Sequence, residues 1–332
     1  MTRRKVIIDT DPGIDDAIAI MALLQAEDVE VLGLTSVAGN KGLDHTTTNA
    51  ARILTFMGQR AQVYPGADRN LQAIEAEEAL LRDDEAGFVH GVSGLGNADL
   101  PYDTSLIAQQ QAVSFILEQV RRYPGQVDII ALGPLTNLAL AVREDPTAMR
   151  HVRQIHTMGG GVYRGNRSPV AEFNYWFDPH AVDLVFQELG PYLPIYMIGL
   201  DVTHQGIINM NYLTFMQLEG GELGQVIYDM MAVYIHQYWK QDHYLGGVIH
   251  DLMAVVGYLY PKIYSDVYHA HVRCVTDSEL AYGQTIVDLH QAFMNKANAY
   301  VPMDADISQY KYYVMELLFG STQAKLYQQA KS

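Results

Sequence analysis

The sequence predicts an α/β fold, an open and mostly parallel Rossmann-like sheet flanked by helices, with a helical C-terminal portion. Short apolar runs alternate with amphipathic segments over the first two hundred residues, an order that is typical of parallel sheets. Polar residues follow the ends of several predicted strands. Because no linker or internal repeat interrupts the pattern, we expect one domain over residues 1–320 and a polar tail at 321–332 that frays.

The first two elements are a buried strand around residues 6–8 and a helix over residues 14–24. The strand is a run of β-branched residues, and apolar residues recur at helical spacing through the helix. Pro12 and Gly13 predict a tight turn between them. Four aspartates surround this turn: Asp9, Asp11, Asp15 and Asp16. They should lie at the carboxyl end of the first strand, where ligand sites form in open α/β sheets.

The remaining elements follow from apolar runs and helical periodicity. Strands are expected at 29–37, near 63, and at 127–132, 152–158, 194–200, 267–275 and 284–289. Helices are expected at 45–57, 105–122, from near Pro134, at 178–189, and beyond position 203 in a tyrosine-rich stretch. Residues 66–103 give mixed signals.

The four clustered aspartates predict a cation site. One or two acidic residues at a helix N-terminus compensate the helix dipole, which accounts for Asp15 or Asp16. That explanation does not cover Asp9 and Asp11, which add two more repelling charges. A hard cation that prefers oxygen ligands, Ca²⁺ or Mg²⁺, explains the whole cluster better.

Composition excludes several classes of partner. The formal net charge of −16 over 332 residues argues against nucleic acid and against an anionic membrane surface. The single cysteine, Cys274, excludes an intramolecular disulfide and a cysteine-built metal site, and we expect a buried, inert thiol in a strand. The basic residues 3–5 resemble the start of a secretory signal, but the apolar run ends at Asp9. A cytoplasmic protein is expected.

Further polar residues follow the later predicted strands, and they suit a ligand with several hydroxyl groups. They are Asn40, Asn137, Asn166, Glu172, Asn174 and the pair His250-Asp251. Structural explanations stay open for several of them: Asn40 as a turn residue, Asn137 as a brace for its helix, and His250-Asp251 as a helix start. Tyr234 and Tyr238, four residues apart on a helix, are typical of core or interface packing.

These motifs and their order resemble those of the inosine–uridine preferring nucleoside hydrolases. The resemblance spans nearly the whole chain and rests on five further motifs beside Asp-Thr-Asp-Pro-Gly-Ile-Asp-Asp: Val37-Ala-Gly-Asn40, Gly133-Pro-Leu-Thr-Asn137, Met158-Gly-Gly160, Ala171-Glu-Phe-Asn174 and His250-Asp251. It implies calcium-dependent hydrolysis of a ribonucleoside to ribose and free base through an oxocarbenium-like transition state. It also implies a homotetramer or dimer.

Carried over by position, the resemblance implies a role for each site residue. Ca²⁺ would be held by Asp11, Asp16, Asp251 and the backbone carbonyl of Leu132. Asp11 would also be the general base toward a calcium-bound water, and His250 is the first candidate for the proton donor to the base. The substrate would contact Asp15, Asn40, His90, Met158, Asn166, Glu172, Phe173, Asn174 and Tyr238. Two departures are Leu132, where relatives often have threonine, and Ser93, where they often have an acidic residue.

Two other functions stay open on the sequence alone. A phosphatase-type hydrolase would use Asp9 as nucleophile, since Asp-x-Asp after an apolar strand also opens that class. Against it, Pro12 and Gly13 stand where threonine or valine is expected, and no matching lysine follows. A nucleoside-binding protein without turnover is the third possibility. The retained water-activating residues argue against it.

Overall fold

A mixed, mostly parallel sheet forms the centre of the protein, in a computed structural model that describes residues 3–77 and 93–330. Within these residues the sheet has nine strands, in the order β10-β9-β11-β6-β5-β4-β1-β2-β3, and a separate hairpin pairs β7 with β8. The strands are β1 Arg4–Thr10, β2 Val29–Ser36, β3 Val63–Pro65, β4 Val127–Ala131, β5 Gln154–Met158, β6 Ile195–Ile198, β7 Ile207–Asn209, β8 Gly246–Val248, β9 Tyr264–Cys274, β10 Thr285–Asp288 and β11 Ala299–Ala305. The predicted open α/β sheet is confirmed.

Helices cover both faces of the sheet, and each face has its own apolar core. The helices are α1 Ile14–Leu24, α2 Leu43–Phe56, α3 Leu71–Glu75, α4 Ala112–Arg122, α5 Thr136–Glu144, α6 Pro146–Met149, α7 Phe173–Phe177, α8 Pro179–Leu189, α9 Leu200–Thr203, α10 Met210–Glu219, α11 Gly221–Asp242, α12 His250–Leu259, α13 Ile307–Phe319 and α14 Ser321–Ala330. One core joins α1, α2 and α10 to α14 to the sheet, and the other joins α4, α5, α6 and α8. This three-layer arrangement is the one expected for parallel strands.

The parallel register brings the carboxyl ends of three strands to one edge. β1 pairs with β2 on one side and with β4 on the other, so that Asp9 lies opposite Thr35 and Ala131. The chain stays attached beyond the strands, because the Leu132 N–H donates to the Asp9 carbonyl at 2.8 Å and the Val37 N–H donates to the Thr10 carbonyl at 3.0 Å. The predicted site residues after these strands therefore share one edge of the sheet.

The opposite edge holds an ion pair between a buried carboxylate and an exposed arginine. Asp128, the second residue of β4, is fully buried and pairs with Arg153. The Tyr258 hydroxyl of α12 donates to Asp128 Oδ2 at 2.6 Å. These contacts satisfy the Asp128 carboxylate inside the fold and tie α12 to the sheet.

Three expectations about elements were wrong or incomplete. The helix predicted at 105–122 begins only at Ala112, because Ile107 bridges to Val63 in extended backbone and the Ala108 N–H donates to the Val63 carbonyl. The tail expected to fray contains α14, whose Ala324 is fully buried. Strands β7, β8 and β11 were not predicted from the sequence. As predicted, Cys274 is a buried thiol in a strand.

Among the helices of residues 3–77 and 93–330, none combines the length and apolar character that crossing a bilayer requires.

Candidate active site

The turn between β1 and α1 is built around the carboxylate of Asp16. Its Oδ1 accepts from the Thr10 hydroxyl at 2.5 Å, and its Oδ2 accepts from the Gly13 N–H at 3.0 Å. The Asn40 side-chain amide donates to the same Oδ2 at 3.2 Å. Asp16 therefore closes the first turn of α1 from inside, as in a capping box, and is oriented by three donors.

Asp11 lies beside it in a space that two glycines leave open. Its Oδ2 accepts from the Asn40 N–H at 2.6 Å, whereas its buried Oδ1 has no hydrogen-bond partner within residues 3–77 and 93–330. A Cβ on Gly39 would overlap Oδ2, and a Cβ on Gly133 would overlap Oδ1. The loops after β2 and β4 thus hold the Asp11 carboxylate between them.

Helix α12 packs against α1 and brings Asp251 into the same cluster. Asp15, Asp16 and Asp251 each place a carboxylate oxygen within 4.8 Å of the other two. Burial, and after it the charge of Asp16, raises the pKa of Asp11 and of Asp251 well above the usual range. The same causes raise the pKa of Asp15 to about 8. Buried carboxylates this close stay ionised at neutral pH only when a positive charge joins them.

The composition of the cluster fits a hard divalent cation. Every available donor is an oxygen atom, and the unpartnered Asp11 Oδ1 shows that this carboxylate has a free coordination position. The Leu132 carbonyl lies at the end of β4 and accepts from the Asn174 side-chain amide at 2.7 Å. An acidic cluster is therefore present where it was predicted, formed by Asp15, Asp16 and Asp251 with Asp11 beside Asp16. The expectation that Asp9 also belongs to it was wrong, because Asp9 Oδ1 is bound by Thr35 and Asn137.

Residues from the segment after β5 line the other side of the site. The Asn174 amide donates to the Met158 carbonyl at 3.1 Å as well as to Leu132. Glu172 caps α7 and accepts from the N–H groups of Gly160 at 2.9 Å and Asn174 at 2.8 Å. Burial raises the pKa of Glu172 to about 7. The charge of Glu172 is also the smallest of the causes that raise the pKa of Asp15.

His250 begins α12, next to Asp251, and its two ring nitrogens face different groups. Nδ1 is 2.7 Å from the Thr203 hydroxyl at the end of α9. Nε2 is 3.4 Å from the Tyr238 hydroxyl on α11. Tyr238 in turn packs edge-to-face against Tyr234, with ring centroids 5.3 Å apart. The structure thus brings together His250 and Tyr238, both predicted site residues.

The other predicted residues lie at the rim or outside the described residues. Asn166 is exposed, and its Oδ1 accepts from the Phe173 N–H at 2.9 Å. Phe173 is half-buried and packs against Phe177. His90 lies outside the residues that the structure describes.

Asn137 and Asp9 form a brace beneath the site. The Asn137 amide donates to Asp9 Oδ1 at 2.8 Å and to the Ser36 carbonyl at 3.0 Å, and its oxygen accepts from the Ala67 N–H at 2.8 Å. Thr35 donates to Asp9 Oδ1 at 2.5 Å. The structural explanation of Asn137 is confirmed, and Asp9 is bound in this network.

Three residues that shape the site were not predicted from the sequence. Thr10 lies inside the aspartate motif and could have been noticed there. Gly39 and Gly133 lie inside the quoted motifs, but only the position of Asp11 shows why they are glycine.

The chain matches the family model described as inosine-uridine preferring nucleoside hydrolase over residues 6–312. It is 32% identical to a protein named probable uridine nucleosidase 1 from Oryza sativa subsp. japonica, over 96% of this chain and 97% of that relative. It is 33% identical to the non-specific ribonucleoside hydrolase RihC from Escherichia fergusonii, over 95% of this chain and 98% of that relative.

Solved structures agree with these relatives. A plant nucleoside hydrolase, PpNRh1, superposes with a TM-score of 0.88 at 30% identity and covers 95% of this chain and 99% of its own. A purine-preferring ribonucleoside hydrolase from Gardnerella vaginalis superposes with a TM-score of 0.87 at 27% identity, over 97% and 100% of the two chains. The chain therefore belongs to the inosine-uridine preferring nucleoside hydrolase family and is an enzyme that hydrolyses ribonucleosides.

Proposed function

We propose that the protein hydrolyses the N-glycosidic bond of ribonucleosides in a calcium-dependent reaction, with Asp11 as general base. The observation that carries this proposal is the Asp11 carboxylate, which is buried beside Asp16, oriented by Asn40, and left with an unpartnered Oδ1. A base in this position accepts a proton from a water molecule as that water attacks the anomeric carbon. General-base catalysis of this kind contributes about 10² to 10⁴-fold in rate.

Asp11, Asp16, Asp251 and the Leu132 carbonyl are the residues that would hold the cation. Their donor set is all oxygen, which suits Ca²⁺. When bound, a divalent cation supplies a Lewis acid that lowers the pKa of a coordinated water. Asn40 supports this arrangement, because its backbone and side chain contact both Asp11 and Asp16.

The ribose would lie between the cluster and the segment after β5. We assign Asp15, Asn40, Asn166, Glu172 and Asn174 to its hydroxyl groups, with Met158 against the sugar. As the glycosidic bond breaks, the ribosyl group becomes positive. Anionic and amide oxygens that are already fixed by hydrogen bonds, as Glu172 is by three backbone N–H groups, stabilise that charge without reorganising.

The base would lie near His250, with Phe173, Tyr238 and the loop of His90 around it. His250 is the proposed proton donor, because it begins α12 next to Asp251 and its Nε2 faces the half-buried Tyr238 hydroxyl of α11. Protonation of the departing base completes the reaction with ribose and free base as products.

The test is release of reducing ribose from inosine, uridine, adenosine and cytidine, with and without a calcium chelator. We expect chelator-sensitive release, restored by added calcium. Asp11→Asn should retain the fold and lose about 10² to 10⁴-fold in kcat. Asp183→Asn is the matched control and should retain activity, because Asp183 lies on α8 away from the cluster and contacts Arg273 and Cys274 of β9. Turnover by Asp11→Asn close to that of the wild type contradicts the proposed role.

From membership of the family we propose a homo-oligomer, a tetramer or a dimer. From the short apolar run that ends at Asp9 we propose a cytoplasmic location. Sedimentation of the purified enzyme tests the first part, and a monomer would contradict it.

A further inference from the structure

The ring of His250 is enclosed by groups that fix its orientation. The Thr203 hydroxyl lies 2.7 Å from Nδ1, and the Tyr238 hydroxyl lies 3.4 Å from Nε2 on the other side of the ring. The ring of His204 packs edge-on against it, with centroids 5.0 Å apart and an interplanar angle of 73°. Rotation of the imidazole would therefore break the short contact to Thr203.

The backbone that follows β6 fixes the position of Thr203. It is the last residue of the four-residue helix α9, it is fully buried, and its N–H donates to the Gly199 carbonyl at 3.1 Å. Its side chain bridges two segments that are 47 residues apart in the chain, since its hydroxyl contacts the first residue of α12. A buried hydroxyl that lost this partner would cost free energy, so the contact is maintained in the folded protein.

We infer that Thr203 is a positioning residue for departure of the base, acting through His250. In this assignment the Thr203 oxygen is the acceptor for Nδ1–H, and Nε2, on the side of Tyr238, is the nitrogen that gives up its proton. A hydrogen bond at one imidazole nitrogen in general determines the role of the other. This inference rests on the proposed function, because it assigns Thr203 a part in the step given there to His250.

The proton and electron count of the step is closed. The Nε2–H bond of His250 breaks and its proton passes to a nitrogen of the base. The electron pair of the N-glycosidic bond moves to the base. The oxygen of the attacking water forms a bond to the ribosyl carbon, and the proton that this water loses passes to the carboxylate of Asp11, the general base of the proposed function. Nδ1–H stays on the ring, hydrogen-bonded to Thr203, and the ring ends neutral.

A purely structural role for Thr203 makes a different prediction from a positioning role. If the hydroxyl only stabilises packing between α9 and α12, its removal affects every substrate equally. If it positions His250, its removal affects only substrates whose leaving group needs a proton. A p-nitrophenyl β-D-ribofuranoside supplies the contrast, because its phenolate departs without protonation while the ribosyl half of the reaction is the same.

The experiment compares Thr203→Val and Thr203→Ser with the wild type on the four nucleosides and on the nitrophenyl riboside. We expect Thr203→Val to lower kcat on nucleosides about 10- to 100-fold, the range typical for loss of a partner that orients a histidine. KM should change little, and the rate on the nitrophenyl riboside should stay within about 2-fold, because acid catalysis is not used there. Thr203→Ser should recover most of the nucleoside activity.

Thr46→Val is the matched control, since Thr46 is also fully buried and its hydroxyl donates to the Leu43 carbonyl of its own helix. His250→Asn, like Thr203→Val, should lose activity on nucleosides and keep its rate on the nitrophenyl riboside. An equal loss on both substrates, or unchanged nucleoside turnover in Thr203→Val, overturns the inference.

If Thr203→Val does not fold, Thr203→Ala and Thr203→Ser test the inference instead. The measured quantity is again the ratio of the activity lost on nucleosides to that lost on the nitrophenyl riboside. Wild-type protein that releases no base from any nucleoside contradicts the proposed function itself. If the wild type hydrolyses nucleosides but the Thr203 variants lose equal activity on nucleosides and on the nitrophenyl riboside, only the role of Thr203 is contradicted.

Discussion

Removing divalent cations should make the stability of the protein fall as pH rises. Burial raises the pKa of Asp9 from 3.8 to about 7 and that of Glu172 from 4.5 to about 7. Both groups bind a proton more tightly in the folded than in the unfolded chain. Their contribution to the free energy of unfolding is fully present below the pKa of the unfolded chain, near pH 4, and is lost as pH rises through about 7.

The size of the effect follows from these pKa values. For Asp9, the shift contributes about 3 kcal/mol at pH 5 and almost nothing at pH 8. Glu172 adds an effect of similar size, and the raised pKa values of Asp11, Asp15 and Asp251 act in the same direction. The metal-free protein should therefore be less stable at pH 8 than at pH 5 by at least about 3 kcal/mol.

The assay is denaturant unfolding at pH 5 and pH 8, with a chelator or with millimolar calcium. A cation in the cluster favours ionised carboxylates, so calcium should stabilise the protein more at pH 8 than at pH 5. Asp16→Asn is the informative variant, because it removes the charge that raises the pKa of Asp11 and Asp251. In Asp16→Asn, both the pH dependence of the free energy of unfolding and the stabilisation by calcium should be smaller than in the wild type. Equal stability of the metal-free protein at both pH values, or an equal calcium effect, would refute this reasoning.

Two further predictions concern hydrogen bonds on opposite edges of the sheet. Asn174→Ala removes the amide that contacts the Leu132 and Met158 carbonyls, so turnover should fall about 10-fold or more. Steady-state kinetics over a range of calcium concentrations measures this loss. Unchanged kcat and KM would contradict the prediction. Tyr258→Phe removes a donor to buried Asp128, which keeps Arg153 as partner. It should lower the free energy of unfolding by about 1–2 kcal/mol while kcat stays at the wild-type value, and a large loss of activity would show that this edge is coupled to the site.

Local signals made the β1–α1 turn predictable. The apolar run, Pro12-Gly13 and the helical spacing all lie within twenty residues, and α1 has the predicted bounds of Ile14–Leu24. The parallel sheet then follows, because alternating strands and helices have few other arrangements. Its polar strand ends could therefore be assigned to one edge before any contact was known.

Elements that depend on distant partners were not predictable in this way. Helix α14 is polar in sequence, but Tyr327 packs edge-on against Tyr212, more than one hundred residues away, with ring centroids 4.7 Å apart. The late start of α4 depends on the bridge between Ile107 and Val63. The contact of Thr203 with His250 likewise joins two segments that lie 47 residues apart, and no periodic pattern in the sequence links them.

The two glycines that flank Asp11 restrict the routes by which this sequence can change. Alanine at Gly39 or Gly133 collides with the carboxylate as long as an aspartate occupies position 11. At Gly133 every close contact of the added Cβ is to the Asp11 side chain, so shortening residue 11 relieves the collision and the same alanine is harmful in one background and tolerated in another. At Gly39 the added Cβ also lies 2.9 Å from Pro134 Cδ, so glycine stays required there whatever residue occupies position 11. Positions 11 and 133 therefore form an epistatic pair: a lineage that abandoned hydrolysis would be expected to lose Asp11 first and Gly133 afterwards, while Gly39 persists.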